Sequence, residues 1–163
     1  MKAITVWQPW ATLIALRLKR FETRSWSTKY RGPIAIHAAK HIDREACERE
    51  PIKSALAEHG YTASNLPTGV VVATCILTDC LGVHRTDGER DKHPVWLRRK
   101  AMHNEAFRNL FWAGGKSPEY YFGDYSDGRF VWELTEVKQL PQPIPAKGKQ
   151  RLWNWEPGEG GRL

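Results

Sequence analysis

The mostly apolar run Ala3 to Trp7 (AITVW) reads as a short strand, and Pro9 then stands where a first helical turn tolerates it. This predicts an apolar helix from Trp10 to Leu18. Beyond it Phe21, Thr23 and Ser25 alternate with Glu22, Arg24 and Trp26, which predicts a strand carrying Glu22, Arg24 and Trp26 on one face. Arg31-Gly32-Pro33 is a turn signal and Ile34 to Ala38 the next strand, so residues 20 to 38 are expected to form two neighbouring strands.

Asp43 is placed to cap a helix running through Arg49, Pro51 to open a second, and Gly60 to close it in the left-handed region. Gly69 to Leu81, rich in Val, Thr, Ile and Cys, reads as a long central strand. Thr86 to His93 reads as a polar loop, Val95 to Trp112 as a helix whose Arg98, Arg99 and Lys100 form a solvated face, and Gly114-Gly115 as a break. Asp127-Gly128 is a turn into a strand from Arg129 to Val137, and the Pro-spaced LPQPIPAKGKQ is expected to run as extended chain before Trp153 and Trp155 dock. Together these elements predict one α+β domain over residues 1–163: a small, mostly antiparallel β-barrel of five to six strands with two to three helices, on which the tail 141–163 docks.

With 163 residues, 41% of them hydrophobic, the chain is long enough for one proper core. Its charge sharpens the picture. Lys plus Arg number 25 against 18 for Asp plus Glu, and this net +7 favours a polyanionic partner. The longest apolar run, Val70 to Leu77, is too short to cross a bilayer, so no membrane association is expected. The amino terminus meets Pro9 before any long apolar core, which argues against a secretory signal and for a cytoplasmic address. Cys47, Cys75 and Cys80 form no CxxC pair and are expected as reduced thiols. His37 and His41 lack the carboxylate context of a zinc helix; no metal and no cofactor are expected.

The candidate chemistry lies in residues 17 to 31. Arg17, Lys19, Arg20, Arg24, Lys29 and Arg31 face one acid, Glu22, with Phe21, Trp26 and Tyr30 threaded between them, the composition of a surface that holds phosphates while stacking rings. Arg24 offers a planar fork for phosphate or a base edge, or for locking Glu22. Glu22 is either a proton acceptor or half of a structural ion pair. Lys19 is a phosphate contact, a base or nucleophile if desolvated, or a solvated lysine. Trp10, Trp26 and Tyr30 are candidates for base stacking, and Gln8 for a ligand contact at the start of the first helix. Trp7, Trp132, Trp153 and Trp155 are assigned to the core, and His37 to a hydrogen-bonded structural role. Asp124 reads as a turn cap. Lys147, Lys149 and Arg151 are either a solvated tail or an extension of a phosphate track.

The runs WQPWATLIALRLKRFETRSW, YRGPIAIHAAK, VVATC, FGDYSDGRFVWEL and LPQPIPAKGKQRLWNW closely resemble the ASCH domain family, of bacterial and phage stand-alone type, a branch of the PUA-like folds. The family motif G-x-K-x-x-E-x-R falls on Arg17, Lys19, Glu22 and Arg24; three of the four positions match, and Arg17 stands where the family has glycine. The resemblance implies a barrel whose cleft, between the first helix and the motif strand, receives single-stranded RNA or a modified nucleotide. Gln8, Trp10, Arg17, Lys19, Arg24, Trp26, Tyr30, Arg31 and Lys40 are its expected contacts. The resemblance also implies an enzymatic alternative in the same cleft, with Lys19 and Glu22 as the acid/base pair of a ribonuclease on single-stranded RNA, or of an amidohydrolase on acylated cytidine. The amidohydrolase group has threonine three positions after the motif lysine, where this chain has Glu22. No protein partner is deducible from these residues.

Overall fold

The structure, a computed structural model, describes residues 1–84, 96–97 and 117–157. Its elements are β1 (Lys2–Gln8), α1 (Trp10–Ala15), β2 (Phe21–Arg24), β3 (Gly32–Ile42), α2 (Arg44–Glu48), α3 (Ile52–Ala57), β4 (Val70–His84), β5 (Trp96–Leu97), a 3-10 helix (Pro118–Phe122), β6 (Phe130–Pro145) and β7 (Leu152–Asn154). This is an α+β architecture. The chain divides into two compact units: unit one comprises Met1–Lys19, Gly32–Ile76 and Thr135–Leu163, and unit two Arg20–Arg31 and Leu77–Leu134. The long strands β4 and β6 supply residues to both.

In unit one the strands follow the order β6-β4-β3-β1-β7. β1 and β3 run parallel, with Ile4 beside Ile36 and Thr5 beside His37, and β7 closes antiparallel on β1. Alternation along β1 sends Ala3 to one face and Ile4 and Val6 to the other. On the first face Ala3, Ala35, Val71, Leu140, Trp153 and Trp155 form a buried cluster with Ile144 and Ala146 packed against it. The tail is therefore held by its two tryptophans. The N–H of Trp155 donates to the Met1 carbonyl at 2.8 Å.

β6 continues to Pro145, well past the expected end at Val137. Pro141, Pro143 and Pro145 are tolerated there because residues two apart direct their N–H positions to the same side, and in unit one β6 is an edge strand. Its ladder with β4 ends where the Ala146 N–H donates to the Gly69 carbonyl.

In unit two the order is β2-β6-β4, with β5 antiparallel to the end of β4. β2 pairs antiparallel with β6, placing Glu22 opposite Trp132 and Arg24 opposite Phe130. Two expectations are corrected here. β2 and β3, consecutive in sequence, are not paired, since β2 takes β6 and β3 takes β1 and β4. Among the described residues β2 and β7 each have one strand neighbour, so the expected barrel is not closed by hydrogen bonds.

The expected helix over Val95 to Trp112 is replaced at Trp96–Leu97 by strand pairing with β4; its remainder, the Thr86 to His93 loop and the Gly114-Gly115 break lie outside the described residues. Asp43 caps α2 as its chemistry demands, accepting from the Ala46 N–H at 2.8 Å. Gly60 and Gly128 take φ of 75° and 79°. Among the described residues no helix is long and apolar enough to cross a membrane.

Candidate nucleic-acid interface

The motif begins at the end of α1. The Arg17 N–H donates to Ile14 at 2.9 Å and the Leu18 N–H to Leu13 at 3.0 Å, the paired bonds of a Schellman C-cap, and Arg17 adopts φ 63°. This stops the helix at Ala15, short of the expected Leu18. It also gives the family's glycine a conformational reason: the position needs the left-handed region that glycine enters without strain. Arg17 itself is exposed. Two residues on, Lys19 is 1% exposed, one of the largest fully buried side chains, and its N–H bonds the Leu13 carbonyl at 3.1 Å. Lys19 is thus no solvated lysine.

Gln8, an expected ligand contact, has its side chain built into the scaffold. Its amide nitrogen donates to Thr12 Oγ1 at 2.8 Å and to the Pro67 carbonyl at 2.7 Å, and its amide oxygen accepts the Thr12 N–H at 3.0 Å. The side chain is fully buried and its polar atoms are spent on the first turn of α1. Trp10 is half-buried and Lys40 exposed, both in unit one.

Unit two assembles the rest of the motif. Alternation on β2 puts Glu22 and Arg24 on one face, where Glu22 Oε1 lies 3.1 Å from Arg24 Nε. Trp26 packs edge-on against Trp132, ring centroids 4.7 Å apart, and its carbonyl accepts from Trp132 Nε1 at 3.4 Å. Trp132 is in turn the cross-strand partner of Glu22. Arg31 is committed elsewhere: it pairs with Asp79 at 2.9 Å and donates to the Thr28 and Tyr30 carbonyls. Tyr30 is half-buried.

A second layer comes from the segment around the 3-10 helix. The Oε1 of Glu119 accepts the N–H groups of Arg20 and of Phe21, the latter at 2.7 Å, and Thr23 Oγ1 accepts the Asp124 N–H at 3.0 Å. One backbone donor of β2, the Phe21 N–H, is thereby taken by a side chain, and the Thr23 hydroxyl ties the same segment to the strand. Asp124 caps its turn through Ser126 and pairs with Arg129 at 3.4 Å, as a turn aspartate should. Tyr125 is buried and stacked on Tyr120, centroids 5.6 Å apart. Burial first, then the negative charges of Glu119 and Glu22 and the neighbouring Tyr120, push its phenol well above the ordinary value, so it stays protonated. Gly123 is required by this packing, because a Cβ there would meet Tyr125 Cε2 at 2.7 Å.

The aromatic density of EYYFGDY is the sequence signal for Tyr120 and Tyr125, and nothing local marks Glu119. On the opposite face of β2 and β6, Glu133 receives Thr78 Oγ1 at 3.1 Å and Arg20 at 3.5 Å. The cysteines are free, and burial raises all three thiols, Cys75 to about 12, which makes them inert rather than nucleophilic.

An α+β fold with a buried motif lysine, an E-x-R strand and aromatic cover defines the class of domain to which the chain belongs: it is a member of the ASCH domain family, whose pattern matches residues 4–144. It is 36% identical over 153 residues to Activating signal cointegrator 1 of Homo sapiens and 24% identical to that of Mus musculus, in each case over 92% of this chain. The chain spans 21% of the length of these relatives. Among solved structures it resembles ASCH from Zymomonas mobilis, with 15% identity, a TM-score of 0.49, and coverage of 97% of this chain and 88% of that one.

Proposed function

We propose that the protein binds single-stranded RNA or a modified nucleotide on the unit-two face built by Glu22, Arg24, Trp26 and the tyrosines Tyr120 and Tyr125. The observation that carries this reading is the 3.1 Å Glu22–Arg24 pair beside the Trp26–Trp132 edge stack. A carboxylate and a guanidinium side by side offer an acceptor next to a forked donor, which suits the polar edge of a base, and the indole offers it a face. Tyr125, buried behind Tyr120, backs this face rather than reaching the ligand. The net charge of +7 favours the encounter. Binding is preferred to catalysis because Glu22 is paired with Arg24 and Lys19 is buried, so neither stands as an open acid or base.

The test is anisotropy of a labelled single-stranded RNA against the parent chain, Trp26→Ala and Arg24→Ala, with thermal melts as a folding control. Trp26→Ala is expected to lose about 1 to 3 kcal/mol of binding, and log affinity to fall by about 0.7 per log unit of salt for each phosphate neutralised. Salt-insensitive binding, or equal affinity in all three folded proteins, overturns the reading.

A further inference from the structure

Unit one carries an exposed aromatic pair of its own. On β1, Ala3, Thr5 and Trp7 share one face. The tail covers the first two: Ala3 lies under Trp153 and Trp155, and Thr5 Oγ1 donates to the Lys149 carbonyl at 2.9 Å while accepting from Trp153 Nε1 at 3.3 Å. Trp7, next on that face and expected in the core, is 54% exposed.

Its placement has a backbone cause. The β1–β3 register steps from Val6 beside Ala38 to Gln8 beside Ile42, so Trp7 alone faces residues 39–41. An irregularity of this kind re-aims a side chain. The indole meets the exposed ring of His41, centroids 4.2 Å apart and planes at 54°. Lys149 is anchored at Thr5, one strand repeat or about 7 Å from Trp7, and both Lys147 and Lys149 are exposed. An exposed aromatic pair and a tail segment carrying two exposed lysines therefore share one face of unit one, the pairing that takes a base and its phosphate together.

We propose that Trp7 and His41, flanked by Lys147 and Lys149, form a second nucleic-acid subsite that stacks one unpaired base and holds the adjoining phosphate. The class of ligand rests on the reading given for unit two; the location does not. A single strand is specified because a ring lying open on a sheet needs an unstacked base, which a duplex withholds.

The experiment uses a labelled oligouridine strand and the full chain carrying Trp7→Ala, Trp7→Phe, Lys149→Gln or Arg24→Ala. Trp7→Ala is expected to weaken binding by about 5- to 150-fold with an unchanged melting temperature, and Trp7→Phe to retain most of the affinity. Lys149→Gln should lower the salt slope by about 0.7. If Arg24→Ala weakens binding and Trp7→Ala does not, this subsite is wrong and the Trp7 face belongs to another contact, such as a protein. If the parent chain does not bind the strand, or no variant changes its affinity, both nucleic-acid readings fall together.

Discussion

Gly148 packs so closely on the imidazole of His37 that a Cβ at position 148 would stand 2.7 Å from Nδ1 and 3.0 Å from Thr5 Oγ1. The ring's Nε2 meets the Ala146 carbonyl at 3.0 Å, and its edge contacts Trp153 with centroids 5.7 Å apart. One histidine thus clamps the segment that leads from β6 to β7. Gly148→Ala has to lift that segment or turn the ring, and should destabilise by about 1 to 3 kcal/mol, as overpacking does. Urea unfolding of the variant checks this; an unchanged midpoint contradicts the clamp.

The same contact sets a pH dependence. Burial lowers the His37 pKa below its usual 6.5 and outweighs the opposing bond to Ala146. With Nε2–H donating to Ala146, Nδ1 is the bare nitrogen, buried with no hydrogen-bond partner, and protonation would place an N–H there. The folded chain therefore binds fewer protons than the unfolded chain near pH 6.5. Stability from this residue is complete above about pH 6.5 and declines as pH falls toward the depressed folded value. Unfolding midpoints across that range should slope downward toward acid in the parent chain and less so in His37→Gln.

Arg17 occupies the left-handed region at φ 63°, where an L side chain costs roughly 1 to 2 kcal/mol that glycine avoids. Arg17→Gly should stabilise the chain, by about 0.5 to 1 kcal/mol after the extra backbone entropy of glycine is subtracted. A thermal midpoint raised by a few degrees is the expected readout. A lowered midpoint would show that the arginine side chain contributes more than its backbone strain.

Glu119 holds the start of β2 through the N–H groups of Arg20 and Phe21. Glu119→Ala removes a charged acceptor from both and should destabilise by about 1.5 to 3 kcal/mol. Hydrogen exchange of the Phe21 amide should accelerate with it, while the amide of Ile36 in β3 serves as the reference. Equal exchange at Phe21 in both proteins would mean that β2 does not depend on this carboxylate.

Local rules carried the motif strand. The period-2 pattern placed Glu22 and Arg24 on one face, and the structure joins them at 3.1 Å. Asp43, Gly60 and Gly128 behave as their short-range chemistry dictates, in a cap and in two left-handed positions. Each of these choices is settled within four residues, so the chain itself carries the information. The family motif was legible for the same reason, because its residues are consecutive.

Long-range pairing carried the rest. Nothing in the neighbourhood of β2 announces that it pairs with β6 rather than β3, or that Tyr125 and Glu119 will raise a second wall around Glu22. Gln8 looked available until Pro67 and Thr12 took its amide, and Trp7 looked buried until the register shift against β3 turned it outward. Periodicity assigns a side chain to a face of its own strand; only the fold decides what covers that face, because cover comes from residues distant in sequence whose pairing is set by the packing of the whole core.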